Sequence, residues 1–90
     1  MGLCELTNGN ELRRLCNGTG QTACIYYIVG AFDMMSSIVS HSAKICVPQS
    51  VEAGQLEGVV KRWLRDHPDK WHWTAAFIVE KALKEKFPCN

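Results

Sequence analysis

The stretch Cys24-Ile-Tyr-Tyr-Ile-Val-Gly-Ala-Phe-Asp-Met-Met35 decides how the rest of the chain must fold. It is apolar nearly all round, and Asp33 is the only charge between Cys24 and Ser40. A helix of that kind belongs in the middle of a bundle, where neighbours cover it on every side. Thr22 stands ready to cap it, and the pattern predicts a helix to about His41. Gly30 costs about 1 kcal/mol against Ala inside a helix, so it is expected to let a neighbouring helix approach closely. Asp33 is either paired in the interior or marks the helix's single wet edge.

Its neighbours in sequence supply the partners. Upstream, Asn8 or Asn10 can cap a short helix with Glu11 in its first turn and Leu12 and Leu15 on one side. The run Cys16-Asn17-Gly18-Thr19-Gly20 then breaks it. Downstream, a connector over Ser42–Ser50 leads to a third helix capped by Ser50. Leu56, Val59, Val60, Trp63 and Leu64 recur there at helical spacing, while Glu52, Glu57, Lys61, Arg62 and Arg65 take the other side. His67-Pro68 ends the helix, because the residue before proline is driven out of the helical region. After the aromatic loop Asp69-Lys-Trp-His-Trp73, Thr74 caps a last helix with Ala75, Ala76, Val79, Ala82 and Leu83 inward and Phe77 outward. The expectation is an all-α, compact four-helix bundle forming one domain over residues 1–90.

Composition narrows the function. The longest apolar run, Ala23–Phe32, counts Gly30 within it. That is half of the roughly 20 residues a membrane helix needs. Net charge is +1 with both signs interspersed, so the basic stripe of a nucleic-acid binder is missing. Five cysteines stand singly at Cys4, Cys16, Cys24, Cys46 and Cys89 with no C-x-x-C. With His41, His67 and His72 they make no zinc spacing, and neither a metal nor another cofactor is expected. Disulfides in an oxidising compartment are the better use of cysteine in so small a domain. Met1-Gly2-Leu3-Cys4 has neither region of a signal peptide, so the chain reads as a mature secreted or periplasmic protein with a replacement start.

No catalytic constellation assembles. Cys24 at a helix N-terminus, with a histidine as base, is the one nucleophile to weigh; the competing reading makes it half of a disulfide. There is no glycine-rich phosphate loop, and the carboxylates lie mainly beside Lys and Arg on solvated faces. An enzyme is not expected.

Four segments, kept in order and spacing over about residues 10–89, together resemble a known family. They are Leu12-x-x-Leu15-Cys16; Cys24-x-x-Tyr27-Ile28-x-Gly30-x-x-Asp33; and Cys46-Val47-Pro48 followed by Val51-x-x-Gly54-Gln55-Leu56-x-x-Val59-Val60-x-x-Trp63-Leu64-x-x-His67-Pro68. The fourth is His72-x-x-Ala75, then Val79-x-x-Ala82-Leu83, then Phe87-Pro88-Cys89. This pattern is similar to that of the Rap/Tai immunity proteins of type VI secretion systems. The resemblance implies a small periplasmic helical domain with an HdeA-like fold that binds a secreted peptidoglycan amidase effector and blocks its active site. A periplasmic acid-stress chaperone of the HdeA kind is the alternative. Trp71 stands where the family usually has Arg, Trp73-Thr74 replaces a common Leu-Pro, and Glu52 replaces a common Thr. Cys4 lies outside the pattern.

Helix length constrains the cysteines. At about 1.5 Å per residue the second helix separates Cys24 from Cys46 by roughly 30 Å, far beyond the ~7 Å Cα limit of a disulfide. Antiparallel packing of helices two to four brings Cys46 to Cys89 and leaves Cys16 facing Cys24. Cys4 is then unpaired or bridges a homodimer. Occluding an enzyme calls for a projecting element, and loops on a rigid scaffold supply one. The favoured surface is Lys70, Trp71, His72 and Trp73 with Phe77 beside them, and the Ser42–Ser50 connector is second. The competing reading folds the two tryptophans back onto Trp63 and Leu64 as a core lid.

Overall fold

The computed structural model describes residues 7–17, 21–38 and 45–89. They form four α-helices: α1 Gly9–Asn17, α2 Gln21–Ile38, α3 Ala53–Asp66 and α4 Ala75–Lys86, with a single 3₁₀ turn at Pro68–Lys70 before α4. No named strand occurs among the described residues, only isolated bridges of Asn8 with Thr74 and Ile45 with Pro88.

The core follows the helical stripes. Leu12, Ile28, Val60, Ile78, Val79 and Leu83 are fully buried, joined by Leu56, Trp63 and Leu64. Burial of each such side chain contributes about 1.5–3 kcal/mol. On α4 the inner face is Ala75, Ile78, Val79, Ala82 and Leu83. Ala76, expected inward, is exposed, and Ile78 takes the place it was given. Phe77 points outward and is 47% exposed.

Two disulfides staple the ends. Cys16–Cys24 closes the α1–α2 connection with its Cα atoms 4.8 Å apart. Cys46–Cys89 ties the segment before α3 to the end of α4, with Cα atoms 5.1 Å apart. The Cys46 N–H also donates to the Phe87 carbonyl at 2.8 Å. Cys4 and His41 lie outside the described residues, as does the first part of the Ser42–Ser50 connector.

Several local readings need correction. The helix α2 is not covered on every side: Tyr26 is 72% and Met34 60% exposed. Its partners α1, α3 and α4 bury Cys24 and Ile28 and leave an outer face carrying Tyr26, Gly30, Asp33 and Met34. Gly30 therefore admits no close neighbour; a Cβ there would meet nothing within 4 Å. Thr22 lies inside α2, which already begins at Gln21. The cap of α3 is Glu52 rather than Ser50. The Glu52 N–H donates to Gln55 Oε1 at 2.8 Å, satisfying an amide that the helix itself cannot. Thr74 occupies the cap of α4 but its hydroxyl makes no cap hydrogen bond.

Tertiary contacts complete the remaining caps. Asn8 Oδ1 accepts the Glu11 N–H at 3.0 Å. The Gly9 and Asn10 amides, free donors at the start of α1, reach the carbonyls of Trp73 and Trp71 at 2.9 and 3.0 Å. In return the Ala75 N–H, first in α4, donates to the Thr7 carbonyl at 2.7 Å. Helix starts leave orphan amides, and here the starts of α1 and α4 satisfy each other through one exchange of backbone bonds. Gly9 makes this approach possible, since a Cβ would lie 2.6 Å from the Trp71 carbonyl oxygen.

Candidate partner-binding surface

The turn between α3 and α4 sorts its aromatic rings to two sides. His67 leaves the helical region at φ −131°, and Pro68 opens the 3₁₀ turn. The His67 Nδ1–H donates to the Trp63 carbonyl at 2.8 Å, and its ring stacks on Trp63 with centroids 4.0 Å apart. Trp63 also donates through Nε1 to Glu85 Oε1 at 3.2 Å, so the indole is held at both ends.

From that anchor a row of rings leads outward. Trp73 lies 6.1 Å from Trp63 and 5.0 Å from Phe77, tilted at 48°. Tilted pairs at such distances are favourable beyond their burial alone. The Lys70 ammonium sits 5.1 Å over the Trp73 ring and 3.1 Å from Asp69 Oδ2. Its hydrogen bond to Asp69 holds that carboxyl below the usual carboxylate range. Lys70, Trp73 and Phe77 thus converge on one patch, with His72 exposed on the same turn.

Trp71 faces the other way. Its Nε1–H donates to the Leu64 carbonyl at 2.7 Å, its own carbonyl receives α1, and the Arg13 guanidinium lies 3.9 Å from its ring centroid. It clamps α1 to the end of α3. Of the five residues singled out from the sequence, three meet on the outer patch and Trp71 is turned to the opposite side. The competing reading of a lid on Trp63 and Leu64 is met in part: Trp71 and Trp73 are both half-buried against the core. Trp73 lies beside the Trp63 ring and Trp71 is bonded to the Leu64 carbonyl, and only His67 was missed. Its place four residues after Trp63, at the C-terminal cap of α3, was the available signal.

Beside the patch, a groove of about 570 Å³ runs between α3 and α4, with Val59, Trp63 and Phe87 in its wall and Arg62, Asp66, Glu85 and Lys86 of both signs along it. Cys24 is buried and bonded to Cys16, so it offers no thiolate nucleophile. Among the described residues no group of three or more His, Cys, Asp or Glu could hold a metal ion. No helix of the described residues is long and apolar enough to cross a membrane. What the arrangement offers is a rigidly backed aromatic surface for another macromolecule.

A comparison with protein families finds that the Rap1a immunity protein family matches residues 8–89. Comparison with curated proteins finds no match. The chain belongs to the Rap1a immunity protein family, and membership points to immunity against a secreted effector protein.

Proposed function

We propose that this immunity protein works in the periplasm, where it binds a peptidoglycan amidase delivered by a type VI secretion system and occludes its active-site cleft. It acts by binding and turns over no substrate of its own. The observation that carries the contact surface is the Trp73–Phe77 ring pair with Lys70 above it, backed by Trp63. Phe77 is 47% exposed although it sits on a helix whose other large apolar residues are buried. Aromatic side chains fixed from behind lose little entropy on binding, and such anchors dominate interface energies. His72 lies at the edge of the same contact. Trp71 supports it from the far side of the turn by holding α1 in place.

The test pairs affinity with stability. A type VI peptidoglycan amidase effector of the source bacterium is titrated calorimetrically with the wild-type protein and with Phe77→Ala and Trp73→Ala, and each variant is melted. A contact role weakens binding about 30-fold or more, or about 2 kcal/mol, with little change in the Phe77→Ala melting temperature. Variants that unfold easily yet bind with wild-type affinity once folded would move the contact elsewhere. An amidase left fully active by saturating wild-type protein would remove the function itself.

A further inference from the structure

On the opposite side of the same turn lies a second concavity, a notch of about 370 Å³ between α1 and the C-terminal end of α3. Arg13, Lys61 and Arg65 stand around it with Leu64, Pro68 and Trp71, and among the described residues no acidic side chain lines it. The groove on the other side has charges of both signs. Two cations outside it have carboxylate partners: Arg14 pairs with Glu11 at 2.9 Å and Lys70 with Asp69 at 3.1 Å.

Helix ends do not account for this cluster. The C-terminus of α3 carries partial negative charge, and Arg65 in its last turn answers it. The effect fades within the last turn. Lys61 lies before that turn of α3, and the basic residue in the last turn of α1 is Arg14. Arg13 and Lys61 are therefore surplus to the dipoles.

Arg13 is also oriented. Its guanidinium carbon lies over the Trp71 ring, 3.9 Å from the centroid, and the ring is fixed by its bond to the Leu64 carbonyl. Stacking occupies the face of a guanidinium and leaves its N–H edge free. That edge matches a carboxylate with two parallel hydrogen bonds. We propose that this notch receives one or two Asp or Glu side chains of the effector protein, with Arg13 as the oriented donor and Lys61 and Arg65 as flanking charges. The volume suits side chains rather than a strand or helix. With a net charge of only +1, the chain is a poor host for a polyanion such as nucleic acid. The inference rests on the reading of the chain as an effector-binding protein. One turn would then present Trp73 on one side for apolar anchoring and the notch on the other for register.

Two measurements on the full chain test it. In the first, the Arg13 Nε–H and Trp71 Nε1–H resonances are followed while acetyl-Glu-Glu-amide, acetyl-Gln-Gln-amide or inorganic phosphate is added. The acidic dipeptide should shift both, the neutral one neither, and Lys61→Gln/Arg65→Gln should weaken the response at least about tenfold. In the second, affinity for the same amidase effector is measured for that variant and for Lys61→Glu/Arg65→Glu, with melting curves for both. Affinity should fall at least about tenfold in the neutral variant and further in the reversed one, with a shallower salt dependence. The neutral pair keeps the result readable should charge reversal beside Glu57 impair folding. Resonances unmoved by the acidic dipeptide overturn the proposal. Unchanged amidase affinity in both variants overturns it too, and leaves the preceding function standing. If phosphate alone shifts the resonances, the notch is a free-anion site and the proposal fails. If wild-type protein does not bind the amidase, the preceding function fails and takes this occupant with it.

Discussion

Replacing Gly9 by alanine tests whether α1 is docked through the turn that carries the aromatic rings. Glycine to alanine in a helix normally stabilises by about 0.4–1 kcal/mol, because the unfolded chain loses freedom. At Gly9 the new methyl would lie 2.6 Å from the Trp71 carbonyl oxygen, 2.7 Å from Ile78 Cδ1 and 2.8 Å from Trp71 Cα. Two of these are backbone atoms, and Ile78 is fully buried. Reaching ordinary contact at 3.4 Å requires α1 and the turn to separate by about 0.6–0.8 Å. Such a shift stretches the Gly9–Trp73 and Asn10–Trp71 backbone bonds, now 2.9 and 3.0 Å, past useful length. Two lost bonds cost about 1 kcal/mol each and overpacking about 1–3 kcal/mol more, so the gain is outweighed and the net loss is about 2–4.5 kcal/mol. For a domain of this size that lowers the melting temperature by roughly 10–35 °C. Gly30→Ala is the control: its Cβ meets nothing within 4 Å, and it should stabilise by about 0.5–1 kcal/mol. Thermal melts of the two variants, with hydrogen exchange of the Gly9 and Asn10 amides, read both expectations. A Gly9→Ala protein as stable as wild type, with those amides still protected, would refute the docking argument.

The remaining expectations are independent of the effector. Cys46 and Cys89 are 43 residues apart and Cys16 and Cys24 only 8; loop-closure entropy then predicts losses of about 4 and about 2.5 kcal/mol when each pair becomes serine. Denaturant titration that ranked them in the reverse order would contradict the entropic account. Glu57 is 9% exposed and its Oε2 is buried without a hydrogen-bond partner. Glu57→Leu should therefore raise stability by about 1 kcal/mol, and a drop would mean that the carboxylate is compensated. Burial raises the Tyr27 pKa above its usual 10.0. The phenol is held neutral in the fold, so its contribution is complete below pH 10.0 and declines as the unfolded chain ionises above it. Tyr27→Phe should flatten the alkaline loss of stability in melts above that pH, and a loss as steep as that of the wild type would refute the expectation.

Local periodicity and helix length account for the features that are legible along the chain. Leu56, Val60, Trp63 and Leu64 repeat along one side of a helix, and all are buried because a 3.6-residue period needs no knowledge of the partner. Pro68 ended α3 through sterics confined to two residues. Cysteine partners could be read from helix lengths, since a rigid rod of known rise excludes most pairings. The match of family spacing over residues 8–89 is legible for the same reason, because cysteines, a glycine and core positions carry it. Tertiary structure alone decided which tryptophan faces which way. Trp71 and Trp73 stand in a turn, where no period orients side chains. Their directions are set by the Leu64 carbonyl, by Arg13 and by the Trp63 ring. It also exchanged Ala76 for Ile78 on the inner face of α4, exposed Gly30, and made Gly9 the glycine of close approach. The notch of Arg13, Lys61 and Arg65 was illegible as well, since its charges lie on α1 and α3 and meet only when the helices pack. Residues within one turn of a helix report on each other in sequence; a site built from several elements acquires its geometry only when their packing closes the distance.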